Sequence, residues 1–124
     1  IYNWKSEIEH FAPELTAVIV TGNMEERAEI LRKVEGNQIL ITSYDLLKRD
    51  AILYENKYFE CEIVDEAQYI KNHNTHVAKA VKLIGASFKV ALTGTPVENR
   101  LSELWSIFDY IMPGFLYIYG RFRE

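Results

Sequence analysis

Two acidic residues near the middle of the sequence could do chemistry together. Asp65 and Glu66 follow directly on the apolar run FECEIV, and an amide side chain, Gln68, comes two residues later. A nucleotide hydrolase needs such a pair, because one carboxylate holds magnesium while a second orients the attacking water. The alternative is purely structural: Asp65 caps a helix and Glu66 favours its positive end. For an isolated strand followed by Asp-Glu, the structural interpretation is the more common one.

A second strand-to-helix junction changes this balance. The stretch ALTGTPVEN places Thr93, Gly94 and Thr95 directly after another apolar run. Thr95 with Glu98 is typical of a capping box, but that cap needs neither Thr93 nor Gly94. A Thr-Gly-Thr turn can offer hydroxyl and backbone donors to a neighbouring carboxylate or phosphate. The two junctions are therefore candidates for one site.

The elements that must position these junctions alternate along the chain. Compact apolar runs predict four strands, at Thr16–Val20, Gln38–Thr42, Phe59–Val64 and Phe88–Leu92. Five helical patterns alternate with these strands. The first is capped by Asn3 and has an apolar face of Trp4, Ile8 and Phe11. The second begins at Asn23 and ends at Gly36, the third runs from Tyr44 to Tyr54, the fourth is closed by Gly85, and the last begins at Thr95.

This alternation predicts an α/β fold, a three-layer parallel sheet flanked by helices. In such sheets, ligands bind beyond the carboxyl ends of the strands. The sequence carries Thr42-Ser43-Tyr44, Asp65-Glu66 and Thr93-Gly94-Thr95 at those ends.

Composition limits the classes of protein that remain. The 124 residues are 48% hydrophobic and 26% charged, which is ordinary for one folded domain. A net charge of -4 gives no overall attraction to a polyanion, so any contact with nucleic acid would come from a local basic patch. The lone Cys61 excludes an internal disulfide, and its apolar surroundings predict a buried thiol. His73 and His76 could share a metal, but no further ligand is obvious.

The two ends of the sequence suggest a domain that continues beyond it. The series opens on a helix, so the strand expected before that helix lies outside these residues. After Pro113-Gly114 a new aromatic and basic segment begins. We therefore expect residues 1–112 to form part of one lobe and residues 113–124 to start a following segment.

Four stretches together resemble the Swi/Snf-type ATPases of helicase superfamily two. They are DEAQYIKN, LTGTPVENRLSELWSIFDYIMPGF, ILITSYDLLKRD and NWKSEIEHFAP, and the match covers nearly the whole chain. The resemblance implies the middle and end of the first RecA-like lobe of a DNA-stimulated ATPase that translocates on duplex DNA.

The same resemblance implies roles for individual residues. Asp65 corresponds to the magnesium ligand that binds with ATP, and Glu66 to the residue that activates water. Gln68 corresponds to the residue that senses the γ-phosphate or couples it to the opposite lobe. The loop that links hydrolysis to movement corresponds to Thr93, Gly94 and Thr95. Contacts with the DNA backbone correspond to Thr42, Ser43, Tyr44, Lys71 and Asn72.

Some features of the family's pattern differ here. Many eukaryotic members have histidine where Gln68 stands, and DEAQYIKN is more like the bacterial branch, which implies a cytoplasmic protein, or a nuclear one if eukaryotic. No G-x-x-x-x-G-K-[ST] phosphate-binding loop occurs in the 124 residues. We therefore expect this chain alone neither to bind ATP tightly nor to hydrolyse it.

Expected partners are double-stranded DNA, a second RecA-like lobe of the same parent chain, and RNA polymerase or another DNA-bound protein. Two other classes of protein remain as alternatives. A flavodoxin-like signalling or ligand-binding domain would need a further acid at an earlier strand end, where the sequence has Thr21-Gly22 and Thr42-Ser43. A non-catalytic α/β interaction module would keep the fold without the phosphate loop.

Overall fold

The computed structural model describes residues 2–94 and 101–112. The chain divides into two compact units, Ile1–Leu53 and Tyr54–Glu124. Thr95 and the segment 113–124, for which the sequence makes specific predictions, lie outside the described residues. Within the described ranges, no helix combines the length and the apolar character needed to cross a membrane.

The first unit contains two strands that pair in parallel. Its elements are α1 (Tyr2–Phe11), β1 (Thr16–Ile19), α2 (Met24–Arg32), β2 (Gln38–Ile41) and α3 (Tyr44–Arg49), and the short 3₁₀ helix Ala51–Tyr54 leads out of it. In the β1–β2 pair, Thr16 lies opposite Gln38 and Ile19 lies opposite Ile41. The strands predicted at these positions are confirmed.

The helices of the first unit begin at the residues that cap them. Asn23 Oδ1 accepts a hydrogen bond from the Glu26 N–H at 2.9 Å, which confirms the predicted cap of α2. The end predicted for α2 at Gly36 is wrong, because the helix stops at Arg32. The predicted cap of α1 is also wrong, because Asn3 lies inside that helix. On the predicted apolar face of α1, Trp4 and Phe11 are exposed, Phe11 at 75%.

A buried ion pair in the first unit joins α2 to the end of α3. The guanidinium of Arg27 donates two hydrogen bonds to the carboxylate of Asp50, at 2.6 and 2.8 Å, and a third to the carbonyl of Gly22 at 2.7 Å. Asp50 is fully buried. This bidentate hydrogen bonding compensates for the hydration that both charged groups lose on burial.

The second unit repeats the parallel arrangement around the acidic stretch. Its elements are β3 (Tyr58–Val64), the 3₁₀ turn Ala67–Ile70, α4 (His76–Leu83), β4 (Gly85–Ala91) and α5 (Leu101–Ile111). In the β3–β4 pair, Tyr58 lies opposite Gly85 and Val64 opposite Ala91. Gly85 therefore begins β4, and does not simply close the preceding helix as predicted. A side chain there would meet the Tyr58 ring at 3.0 Å.

The two faces of the β3–β4 pair differ in exposure. On one face Cys61 lies opposite Phe88, and Ile63 lies opposite Val90; these side chains are exposed, Phe88 at 67%. The prediction of a buried thiol at Cys61 is therefore wrong, because the thiol lies on the open face.

On the other face, Glu62 lies opposite Lys89, and the hydroxyl of Tyr110 in α5 donates to the Glu62 carbonyl at 3.3 Å. Burial raises the pKa of the Glu62 carboxyl from 4.5 to about 7, although Tyr110 and Lys89 act in the opposite direction.

Candidate active site

The chain leaves β3 in an unusual conformation at the acidic pair. Asp65 and Glu66 are both exposed. Glu66 has φ 51° and ψ 54°, and among the described residues it is the only one other than glycine with a positive φ. For a residue with a Cβ atom, this left-handed conformation costs about 1 kcal/mol. Strain of this kind at a strand end is typical of functional sites.

The acidic pair does not act as the helix cap that the structural interpretation requires. The element that follows is the single turn Ala67–Ile70, whose N-cap residue is Glu66 with no side-chain capping bond. The Asp65 carboxylate instead accepts the N–H of its neighbour Glu66 at 2.9 Å. The capping interpretation of Asp65 is therefore wrong, and it no longer accounts for the pair.

Gln68 connects the acidic pair to the second loop. Its amide nitrogen donates to the Glu66 carboxylate, and its amide oxygen accepts from the Thr93 hydroxyl at 2.8 Å. Each end of the amide thus meets a partner of the complementary type. Glu66, Gln68 and Thr93, which the sequence assigns to one site, do lie together.

Backbone hydrogen bonds hold the two loops side by side. The Leu92 N–H donates to the Val64 carbonyl, and the Ala67 N–H donates to the Leu92 carbonyl, both at 2.9 Å. These bonds continue the β3–β4 pairing past the ends of the strands, so Leu92, the residue before Thr93, is held beside the acidic segment. An added Cβ at Gly94, the next residue, would meet no atom within 4 Å in the part of the chain that the structure describes.

Sequence reasoning missed one residue that contacts the acidic segment. Ser106 of α5 is fully buried, and its hydroxyl donates to the carbonyl of Ile70, the last residue of the turn. The sequence carries one signal for it, a lone small polar residue inside the apolar stretch LWSIF. The apolar residues on either side of it predict a core-facing helix and give no reason to single out the serine.

The residues predicted to contact DNA fall in both units. In the second unit, Lys71 Nζ lies 3.8 Å from the Glu103 carboxylate, and Asn72 is exposed, its Oδ1 accepting from the Asn74 N–H at 3.0 Å. The remaining three, Thr42, Ser43 and Tyr44, follow β2 in the first unit.

Ser43 is the N-cap of α3, where its hydroxyl accepts from the Leu46 N–H at 3.2 Å. The buried hydroxyl oxygen of Thr42 has no hydrogen-bond partner among the residues that the structure describes. One of these predicted contacts therefore already has a structural role.

The idea of a histidine metal site gains no support. Across residues 2–94 and 101–112, no three His, Cys, Asp or Glu side chains cluster closely enough to hold an ion. His73 instead packs edge-on against Trp105, with ring centroids 5.0 Å apart. Desolvation lowers the pKa of His73, and Lys82 adds to this shift.

Comparison with known proteins places this geometry in a family. The model of the SNF2-related domain matches residues 1–124. An uncharacterized ATP-dependent helicase of Mycoplasma genitalium is 47% identical over 116 residues, which cover 94% of this chain and 11% of the relative. The TATA-binding protein-associated factor MOT1 of Saccharomyces cerevisiae is 40% identical, over 98% of this chain and 6% of its own.

A solved structure shows the same fold. The SWI2/SNF2 ATPase core of Sulfolobus solfataricus in complex with double-stranded DNA matches with a TM-score of 0.81 and 36% identity, over 99% of this chain and 25% of that one. The chain spans about a tenth or less of the length of the curated relatives named above. These matches confirm the predicted partial RecA-like α/β lobe. The alternative hypothesis of a flavodoxin-like domain is therefore rejected. The chain belongs to the SNF2-related domain family, among the Swi/Snf-type members of helicase superfamily two.

Proposed function

We propose that this chain is part of the ATP-hydrolysing motor lobe of a DNA-dependent ATPase that translocates on double-stranded DNA and remodels protein–DNA complexes. The observation that carries the proposal is the connected set Glu66, Gln68 and Thr93 at the carboxyl ends of two paired parallel strands. Family membership supports the same activity, since relatives include proteins described as ATP-dependent helicases and as a SWI2/SNF2 ATPase core.

Asp65 is the residue that would hold magnesium together with ATP. Its carboxylate is exposed at the end of β3, and carboxylate oxygens are the ligands that this ion prefers. Magnesium bound with ATP commonly uses only one or two protein carboxylates, so a site without a cluster of acids fits. The ion, when bound, neutralises charge on the phosphates.

Glu66 would orient the attacking water and accept its proton at a carboxylate oxygen. The left-handed backbone turns the chain sharply after Asp65, and the Glu66 side chain remains exposed. The amide of Gln68 donates to this carboxylate and restricts its position. A positioned carboxylate of this kind contributes a factor of about 10² to 10⁴ to a reaction rate.

Gln68 and Thr93 would couple a change at the γ-phosphate to movement of the rest of the protein. A change at the γ-phosphate that moves Gln68 also moves Thr93, because the two side chains share a hydrogen bond. Gly94 and Thr95 complete this coupling loop in the proposal.

Duplex DNA is the proposed track, and Thr42, Ser43, Tyr44, Lys71 and Asn72 are its proposed backbone contacts. A Swi/Snf core solved with double-stranded DNA supports this partner. The other proposed partners are a second RecA-like lobe in the same parent chain and a DNA-bound protein such as RNA polymerase. The name of MOT1 associates that relative with the TATA-binding protein, which is one example of a DNA-bound protein.

ATP hydrolysis by the full-length protein, measured with and without double-stranded DNA, tests the proposal. We expect DNA to stimulate turnover of the wild type and Glu66→Gln to abolish it while sparing nucleotide binding. Glu25→Gln, which removes an exposed acid from the first turn of α2, is the matched control and should leave turnover intact. Retained turnover in Glu66→Gln would contradict the role of Glu66.

The alternative of a non-catalytic interaction module makes a different prediction. It requires a full-length wild type that does not hydrolyse ATP under any DNA condition. The isolated 124-residue chain should be inactive under either hypothesis, because its sequence contains no phosphate-binding loop. Measurable turnover by the isolated chain would therefore count against our assignment of the site.

A further inference from the structure

We propose that Ser106, oriented by Lys82, is a positioning residue that fixes the far end of the catalytic turn Ala67–Ile70. This inference rests on the proposed function, because it assigns to α5 a role in holding Glu66 and Gln68. Ser106 touches none of the reacting groups. It acts through the backbone carbonyl of Ile70.

The setting of Ser106 is unusual for a serine. It lies within α5, fully buried, between Trp105 and Ile107, which are also buried. A serine inside a helix commonly bonds to a carbonyl of its own preceding turn. Ser106 instead bonds to Ile70, 36 positions away in the sequence. Apolar packing alone would favour alanine at this position. The hydrogen bond to Ile70 accounts for the presence of a hydroxyl there.

Lys82 determines the direction of the Ser106 hydrogen bond. Its ammonium group lies 3.2 Å from the Ser106 oxygen. An ammonium group only donates, so the Ser106 oxygen must accept there. The single hydroxyl hydrogen of Ser106 is then left for the Ile70 carbonyl. One hydroxyl thus connects α4, α5 and the catalytic turn.

Two further contacts hold Lys82 in place. Asp109 of α5 lies 3.6 Å from the Lys82 ammonium, and the ring of Trp105 lies beneath it with its centroid 5.0 Å away. The ammonium is only partly exposed, so these contacts act with limited competition from water. The donor that orients Ser106 is therefore itself fixed.

The catalytic turn is held at both ends by hydrogen bonds to other elements. At its start, the Ala67 N–H bonds to the Leu92 carbonyl, and at its end the Ile70 carbonyl accepts from Ser106. Ala67 and Ile70 are fully buried, whereas Tyr69 between them is 64% exposed. The strained Glu66 directly precedes this turn. Releasing one end gives the strained segment a way to relax, which moves the Glu66 carboxylate and the Gln68 amide out of position.

Steady-state ATP hydrolysis by the full-length protein with saturating duplex DNA tests this role. Ser106→Ala should lower kcat about tenfold and leave KM for ATP within about twofold, because a positioning defect acts on the chemical step. Ser106→Thr keeps the hydroxyl and should restore most of the loss. Ser87→Ala is the matched control, since it removes a hydroxyl of the same unit that bonds to Tyr58 and not to the turn; its kcat should equal that of the wild type.

The outcomes separate this inference from the proposed function. A wild type that hydrolyses ATP, with an unchanged kcat in Ser106→Ala, overturns the positioning role alone. A wild type without turnover overturns the proposed function and the positioning role together. Loss of kcat in Ser106→Ala without rescue by Ser106→Thr also overturns the role of the hydroxyl.

Lys82→Met decides the question if Ser106→Ala does not fold. Lys82 is only half-buried, so this variant leaves the core of the unit intact. It removes the donor that directs the Ser106 hydrogen, and we expect kcat to fall about threefold with KM unchanged. An unchanged kcat in a folded Lys82→Met variant overturns the inference.

Discussion

The two units differ in how the chain leaves β1, β2 and β3. In the first, Ser43 and Asn23 cap helices in the ordinary extended conformation, and the buried Arg27 and Asp50 satisfy each other. In the second, the chain enters its turn through a left-handed Glu66 without a side-chain cap, and burial favours the neutral form of the Glu62 carboxyl. The left-handed departure at Glu66 therefore lies in the unit that carries the proposed chemistry, as expected where function competes with stability.

The largest effect on stability is expected from the ion pair of the first unit. Asp50→Ala leaves the buried Arg27 guanidinium without its carboxylate partner, and the free energy of unfolding should fall by about 3–5 kcal/mol. Urea unfolding of the full-length protein, monitored in this domain, measures it. Asp45→Ala removes an exposed acid of α3 that pairs only at the surface, and should change stability by no more than about 0.5 kcal/mol. Equal effects of Asp50→Ala and Asp45→Ala on the free energy of unfolding would contradict a special role for the buried ion pair.

Glu62 should make the stability of the second unit depend on pH. Its raised pKa means that folding favours the neutral carboxyl, so this contribution is fully present below about pH 4.5 and is lost as pH rises through about 7. Glu62→Gln should therefore match the wild type near pH 4.5 and exceed it at pH 8 by about 2 kcal/mol once solvent screening is allowed for.

Thermal unfolding at the two pH values measures this difference. Glu60→Gln replaces an exposed acid two residues earlier on the same strand and is the control. Its stability relative to the wild type should not change between the two pH values. Parallel pH curves for wild type and Glu62→Gln would show that the carboxyl is not desolvated.

A smaller effect is expected at the contact between the two loops of the site. Thr93→Val keeps the shape of the side chain but removes the donor to Gln68, and should lower kcat of the full-length protein about tenfold, equivalent to about 1.4 kcal/mol. Thr16→Val, at the exposed start of β1, is the matched control and should leave kcat unchanged. If Thr93→Val hydrolyses ATP like the wild type, the two loops are not coupled through Gln68.

The smallest effect is expected at the ordinary junction after β2. Ser43→Ala removes the cap of α3, and stability should fall by about 1 kcal/mol. Ser6→Ala, in the exposed middle of α1, controls for the loss of a hydroxyl. Because Ser43 is also a proposed DNA contact, DNA affinity measured below the unfolding temperature separates its two roles; unchanged affinity would leave the cap as its only function.

Local patterns predicted the parts of this molecule that depend on neighbours in sequence. The four strands and the Asn23 cap follow from hydrophobic periodicity and from capping chemistry, which a single stretch of sequence displays. The meeting of the acidic segment with the Thr93 loop spans 25 positions, and it was predicted by a rule of the fold, because the carboxyl ends of parallel strands meet at one edge of the sheet.

The features that sequence reasoning missed depend on partners far along the chain. No role was predicted for Arg27, whose partner Asp50 is 23 positions away. The role of Ser106 depends on Ile70, 36 positions away. The left-handed conformation of Glu66 contradicts the preference of glutamate, so no propensity could predict it.

That conformation has a consequence for how the protein would change under selection. Glycine and asparagine adopt a left-handed backbone more readily than glutamate does. A random library selected for heat resistance alone should therefore lose Glu66 early, whereas one selected for ATP turnover should retain it. Enrichment at this single codon would reveal which property a given population had been selected to keep.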